Sequence, residues 1–398
     1  MTPRQILTNA TVVLPHKTIR GSVVIEGDRI AEVSATGRYA DGLDLDGQFL
    51  IPGVIDIHTD YMEKELNPRP SANFPLDMAF HFMDLRAIAC GLTTVLGAAR
   101  ISNEEPTQAK ISIWRGDGLA LAKKYRELAR TALARHFVHL RWNPNFEPVD
   151  HILDELAGVE SIGNLVYNDA VPGERQFRNA TEERILAFAA QHNLPLEEGR
   201  VRWEARREAL RSVNTRTKVK AKLAGRIPLG SHDDTTVAHV DEAFEAGATL
   251  SEMPCTIEAA RRAKDLGMMV CMGAPNYFRG GSHCGNLSCV EAMAHGLVDI
   301  LCSDFHFPSM LGSAVRMIRA GVNPADAINM ISLSPARHLR RDGDLGSVEV
   351  GKKADLVAFS PRDSFAAVTH VWVDGIVRLQ AGLDSRARDA SADLANAR

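Results

Sequence analysis

Over the first fifty positions apolar and polar residues alternate or cluster in short runs, ILTNATVVL, SVVIEGDRIAEV and LDLDGQFLI, divided by Gly-Asp and Asp-Gly turn signals. This texture predicts β-strands. SVEVGKKADLVAFS and VTHVWVDGIVRL near the other end share it, so residues 1–51 and 345–385 are expected to pair into one small β-sandwich domain, followed by an Ala-, Asp- and Arg-biased tail at 386–398. The stretch between, 52–344, has another rhythm. Short apolar runs at 54–60, 92–98, 136–142, 164–169, 227–233, 248–254, 269–275 and 298–304 alternate with helical patterns such as 118–135 and 237–245. Eight strands alternating with helices predict the α/β class, a (β/α)8 TIM-like barrel inserted into the discontinuous β domain. Nearly every strand ends on a polar residue, which is where such barrels build their active sites.

Composition narrows the class. The chain has 398 residues, 45% hydrophobic and 24% charged, with a formal charge of −4, a balance that excludes disorder and fibrous structure. That charge offers no general reason to bind nucleic acid, and no apolar run approaches the roughly 20 residues that span a bilayer. The six cysteines form no C-x-x-C pair, against both a disulfide framework and a thiolate zinc site, and MTPRQILTNATVVLPHK lacks the apolar segment of a signal peptide. A cytoplasmic location is expected.

The charge average hides an asymmetry. Residues 174–226 carry 13 Lys and Arg against 7 Glu, net +6, in a connection much longer than usual between the fourth and fifth strands. It reads either as a helical excursion beside the barrel mouth or as a solvated helical hairpin.

In IDIHTD, His58 and Asp60 stand two apart at a strand end and project to one side of the pleat. An imidazole and a carboxylate at a barrel mouth suit a divalent metal, although the pair can also be a simple hydrogen-bonded couple. SHDD puts His232 at the end of the fifth strand, SEMP puts Glu252 at the end of the sixth, and CSDF puts Asp304 at the end of the eighth. Glu252 reads as a ligand or as a carboxylate that orients one. Asp304 is the candidate general base for a metal-activated water, against the competing role of helix cap. His139 and His306, lacking spacing logic, read as structural rather than catalytic, and Trp142 and Tyr167 as aromatic packing.

These features together resemble the amidohydrolase superfamily: a β domain from both termini, a Pro-Gly-x-x-Asp-x-His entry (PGVIDIHTD, 52–60), a His after strand five, an Asp after strand eight and a closing GKKADLVAF (351–359). The resemblance covers essentially the whole chain. Within it HTDYMEKELNPRP (58–70), GERQF (173–177), SHDDTTVAHV (231–240), MGAPNYFRGGSHCGN (272–286) and LCSDFHFP (301–308) are similar to members of phosphonate metabolism that hydrolyse ribose 1-methylphosphonate 5-triphosphate and release diphosphate. It implies a metal-dependent hydrolase with Asp304 and His232 catalytic. His58, Asp60, His232, Asp304, Glu252 and Asp169 would hold one or two divalent ions, zinc first and manganese as the alternative. Lys64, Arg69, Arg141, Arg175 and Arg279 would neutralise a small phosphorylated substrate, with Ser282 and His283 after two glycines offering either an anion-binding turn or an ordinary tight one. No nucleic acid and no membrane are expected as partners, and a homodimer is compatible.

Two positions depart from that subgroup. Asn143 stands where a Glu is expected after the third strand, and Ala170 where a His is expected after the fourth, which weakens or removes a second metal. They keep two further readings open: a hydrolase of the C–N bond in a cyclic amide or amidine, and a binding homologue without catalysis.

Overall fold

The computed structural model describes residues 4–35, 39, 41–69, 72–101, 118–145, 150–169, 171–175, 178, 181–282 and 284–382. The N-terminal runs form β1 (Gln5–Val13), β2 (Thr18–Glu26), β3 (Arg29–Ser34), β4 (Leu43–Asp44) and β5 (Phe49–Pro52). The eight apolar runs of the middle form β6 (Val54–Thr59), β7 (Leu92–Ile101), β8 (Arg135–Trp142), β9 (Ile162–Tyr167), β10 (Leu229–His232), β11 (Leu250–Glu252), β12 (Met269–Gly273) and β13 (Ile300–Cys302). β14 (Leu356–Pro361), β15 (Ala366–Val373) and β16 (Ile376–Gln380) follow.

Both termini build one sheet, ordered β16-β15-β14-β5-β1-β2-β3 with β4 beside β1. The alternation along β1, β2 and β14 sends Leu7, Val12, Val23, Ile25, Leu356 and Ala358 into a core around Trp372, while Val13, Ile51, Val357 and Val371 join the barrel's core. β6 to β13 form the second sheet in sequential order with parallel ladders, wrapped into a nearly closed barrel with helices between the strands. Its strands are almost wholly buried, which is why they read as apolar runs rather than as alternation.

Between β13 and β6 the seam is held by few bonds. Asp60 N–H donates to the Asp304 carbonyl (2.6 Å), Asp304 N–H donates to the His58 carbonyl (3.1 Å), and Asp56 Oδ1 accepts from Ser303 N–H (3.0 Å) and His58 N–H (3.3 Å). The seam therefore fixes His58, Asp60 and Asp304 against one another.

The chain passes from the terminal sheet to the barrel through Pro52 and Gly53. A Cβ at Gly53 would lie 2.0 Å from Thr93 Oγ1 and 2.5 Å from its Cγ2, both on a fully buried residue. Gly53→Ala is expected to destabilise the fold by about 1–3 kcal/mol, because the two strands must separate to admit the methyl group. An unchanged melting temperature would refute this.

His338, on the helix Leu333–His338, is buried with neither ring nitrogen hydrogen-bonded, and burial pushes its pKa down to about 4. Between its ordinary value of 6.5 and about 4 the unfolded chain takes up a proton that the folded one refuses. Protonation of His338 therefore costs nothing above pH 6.5 and lowers stability as pH falls, by about 3 kcal/mol once below 4. Denaturant titrations of the wild type and His338→Leu should show a shallower acid loss in the variant; parallel curves would refute the assignment.

Candidate metal centre

Five barrel strands deliver the site. His58 lies near the end of β6, His139 and Arg141 stand two apart on β8, and His232 and Glu252 end β10 and β11 at paired positions of the ladder. Asp60 and Asp304 follow their strands at the seam, Asp304 with φ of 55°.

Glu252, fully buried, is the hub. Its Oε1 lies 3.0 Å from His58 Nδ1, and its Oε2 lies 3.4 Å from His139 Nε2 and 3.6 Å from His232 Nε2. The His139 ring stacks on His58 with centroids 4.4 Å apart. Behind His232, the Asp233 carboxylate stands 2.8 Å from Nδ1, so Nε2 is the atom turned toward Glu252.

All these inward atoms, His58 Nδ1, His139 Nε2, His232 Nε2 and both Glu252 oxygens, are buried without a hydrogen-bonded partner. Buried polar atoms are rarely left so, each costing about 1–3 kcal/mol. Ligands about 2.1 Å from a shared tetrahedral ion stand about 3.4 Å apart. His58, His139 and Glu252 bring one ligand atom each within 4.8 Å of one another, so these three fit a divalent ion, with His232 beside them.

The electrostatics of Glu252 and His139 agree, while at His58 the Glu252 carboxylate overcomes the effect of burial and pushes the imidazole up to about 10. Burial opposes ionisation of Glu252, but His139 and His58 beside it hold its carboxyl below the usual range. Burial keeps His139 neutral, with its pKa well below the ordinary imidazole value and a lone pair available. Burial raises Asp60 too, but Arg141 and His58 outweigh it and hold the carboxyl low. Asp304 goes the other way, raised chiefly by burial with Asp60 adding to it, as suits a proton acceptor.

The alpha-D-ribose 1-methylphosphonate 5-triphosphate diphosphatase of Escherichia coli K12 is 33% identical over 384 residues, which cover 93% of this chain and 99% of that relative. The amidohydrolase family model matches residues 209–379. The chain belongs to the amidohydrolase family. More distantly, the imidazolonepropionase of Pseudomonas aeruginosa UCBPP-PA14 is 25% identical over 81% of each chain. The dihydropyrimidinase of Brevibacillus agri, 15% identical, superposes with a TM-score of 0.62 over 95% of each chain and so shares the fold.

In this amidohydrolase several residues expected at the site turn elsewhere. Asp169 is not part of the Glu252 cluster: Arg175 and Arg216, brought by the long β9–β10 connection, take up its carboxylate at 3.3 and 3.0 Å. Arg175, expected on substrate, is buried and also pairs with Asp234 at 2.6 Å, so its charge holds the connection in place. Arg141, also expected on substrate, faces His58 and Asp60 instead. Lys64 and Arg69 are exposed, Lys64 donating to the Phe305 carbonyl at 2.6 Å.

Arg279, exposed, ends the helix Ala274–Arg279, and the amides of Gly280 and Gly281 are spent on the carbonyls of Tyr277 and Asn276. Ser282 Oγ accepts from the amides of Cys284 and Asn286, so the glycines and Ser282 form a tight turn rather than an open anion cradle. His283 and Ala170 lie outside the described residues. Asn143 Oδ1 accepts from the Asn145 amide and serves a turn.

His139 was read from the sequence as structural; the structure brings it into the cluster beside His58 and Glu252. The signal was present: His139 and Arg141 repeat, at the end of the third barrel strand, the two-residue spacing of His58 and Asp60. Several cations of 174–226 meet acids of the same connection, among them Arg200 with Glu182 and Arg211 with Glu174, while Lys222 reaches Asp154 on the helix Asp150–Leu156. Among the described residues no helix is long and apolar enough to cross a membrane.

Proposed function

We propose that this amidohydrolase is a metal-dependent diphosphatase acting on a ribose 5-triphosphate that carries a phosphonate at C1, in the cytoplasm, with zinc as its ion and manganese as the alternative. The observation that carries the reading is the 33% identity to the Escherichia coli diphosphatase over nearly the full length of both chains. A divalent ion bound at His58, His139 and Glu252, with His232 beside them, would polarise a phosphoryl oxygen and acidify water. Asp304 takes the proton of the attacking water; oxygen adds to the phosphorus nearest the ribose, and the bond to the diphosphate breaks. Lys64, Arg69 and Arg279 are the exposed cations available to the triphosphate, and the Arg141 guanidinium carries fixed positive charge at the centre itself.

The test is direct. Protein loaded with Zn2+ or Mn2+ is incubated with a ribosyl 5-triphosphate bearing methylphosphonate at C1, and diphosphate is assayed separately from orthophosphate. Diphosphate with the 5-monophosphate is expected; no release with either ion would sink the reading.

A second reading, hydrolysis of the C–N bond in a cyclic amide, draws support from the imidazolonepropionase relative and from Asn143 in place of an acid. Turnover of phosphate-free lactams in the same assay would favour it.

A further inference from the structure

The long connection between β9 and β10 brings cations toward the barrel mouth, and one of them stands apart. Arg175, Arg211 and Arg216 are each matched by acids, Arg175 by Asp169 and Asp234, Arg211 by Glu174, Arg216 by Asp169 and Glu242. Arg178, half-buried, meets no carboxylate among the described residues. Its Nη1 donates to the Asn286 side-chain oxygen at 2.8 Å and to the Arg175 carbonyl at 3.4 Å, both neutral acceptors. Nε and Nη2, the other edge of the guanidinium, make no hydrogen bond to a described residue.

The position of this open edge gives it a use. Asn286 belongs to the turn after β12 in which Ser282 Oγ accepts from the amides of Cys284 and Asn286. Arg178 therefore ties the loop after the fourth barrel strand to the loop after the seventh, at the end of the barrel where active sites are built. The same turn lies beside the acids of the centre, since burial and then the charges of Asp233 and Asp304 raise the Cys284 thiol. Cys255, after β11, donates from Sγ to the Asp233 carbonyl at 3.6 Å, and its thiol is raised by burial and by Asp233 while Arg178 lowers it. Asp233 in turn backs His232.

We propose that Arg178 receives the outer two phosphoryl groups of a ribosyl 5-triphosphate, and so selects a triphosphate over a monophosphate. The proposal rests on the diphosphatase reading above and adds the residue that holds the part that leaves.

The chemistry suits a guanidinium. Its open edge presents two parallel N–H donors that match two phosphoryl oxygens, and its charge persists at any pH a protein meets. Because Nη1 is already tied to Asn286, the side chain is held before substrate arrives, whereas the exposed Arg69 and Arg279 lose more rotamer freedom on binding. In the proposed hydrolysis the water oxygen adds to the phosphorus nearest the ribose and its proton passes to Asp304. The bond from that phosphorus to the bridging oxygen breaks, and the bridging oxygen leaves with the electron pair. The negative charge that gathers on the departing diphosphate then falls beside Arg178.

The experiment compares the wild type with Arg178→Gln, Arg178→Lys and, as a control on the same connection, Lys218→Gln, which loses an exposed pair with Asp150. Metal-loaded protein is titrated calorimetrically with inorganic triphosphate and with inorganic phosphate. Values of kcat and KM are measured on the ribosyl 5-triphosphate bearing methylphosphonate at C1, and melting temperature checks folding. The wild type and Lys218→Gln are expected to prefer triphosphate to phosphate. Arg178→Gln should weaken triphosphate binding and lower kcat/KM, each by about 10- to 100-fold, with phosphate binding unchanged. Arg178→Lys, which keeps the charge and loses the fork, should fall between. Unchanged triphosphate affinity and kcat/KM in a folded Arg178→Gln, or an equal loss in Lys218→Gln, would overturn the proposal and leave the diphosphatase reading intact. If Arg178→Gln does not fold, Arg178→Lys against Lys218→Gln decides in the same way. A wild type that binds triphosphate through Arg178 yet releases no diphosphate would remove that reading and keep the anion site; one that binds no triphosphate would overturn the proposal.

Discussion

Glu252→Ala is expected to lower the affinity for Zn2+ or Mn2+ by more than about 100-fold and to abolish hydrolysis with it. Changing an outer group that only orients a ligand costs about 10–100-fold, and Glu252 is more than that. It brings the negative charge among the inward-facing donors, the rest being imidazole nitrogens, and its oxygens lie 3.0–3.6 Å from all three histidines. Without it the ion would meet neutral ligands alone in a buried site. Chelator competition measures the effect, and unchanged ion affinity would refute the ligand role.

Asp304→Asn is expected to lower kcat/KM by about 10²–10⁴, or about 3–6 kcal/mol of barrier, with bound metal unchanged. The substitution keeps the shape of the side chain, and the seam bonds use the Asp304 backbone, which the variant retains. What disappears is a carboxylate whose pKa burial has raised above the ordinary value. In the wild type this carboxylate must be ionised to accept a proton, so kcat/KM should fall as pH drops through a pKa above 3.8. The residual activity of the variant should lack that limb. A variant that loses its metal instead would make Asp304 a ligand, and one with full activity would remove it from the chemistry.

Much of this molecule was legible in one dimension. All eight barrel strands stand where apolar runs predicted them, because a parallel strand buried on both faces leaves a run that local composition cannot hide. The two terminal β segments announced their common sheet by shared texture, and His58, His232, Glu252 and Asp304 announced themselves as polar residues at the ends of those runs. The amidohydrolase resemblance followed from the same motifs.

What the sequence alone determined was therefore the barrel, its insertion between terminal strands and the pool of polar residues at the strand ends. Only the tertiary structure decided which of that pool meet. His139 joins the centre because the register of β8 against β7 and β9 brings it beside His58, and register between strands far apart in sequence leaves no local trace. Asp169 and Arg175 leave the pool because the β9–β10 connection folds back and brings Arg216 and Asp234 to them. Arg141 changes from a presumed substrate contact to a neighbour of His58 and Asp60 for the same reason. A charge takes its role from the opposite charge a few ångström away, and that neighbour is set by packing, not by spacing along the chain.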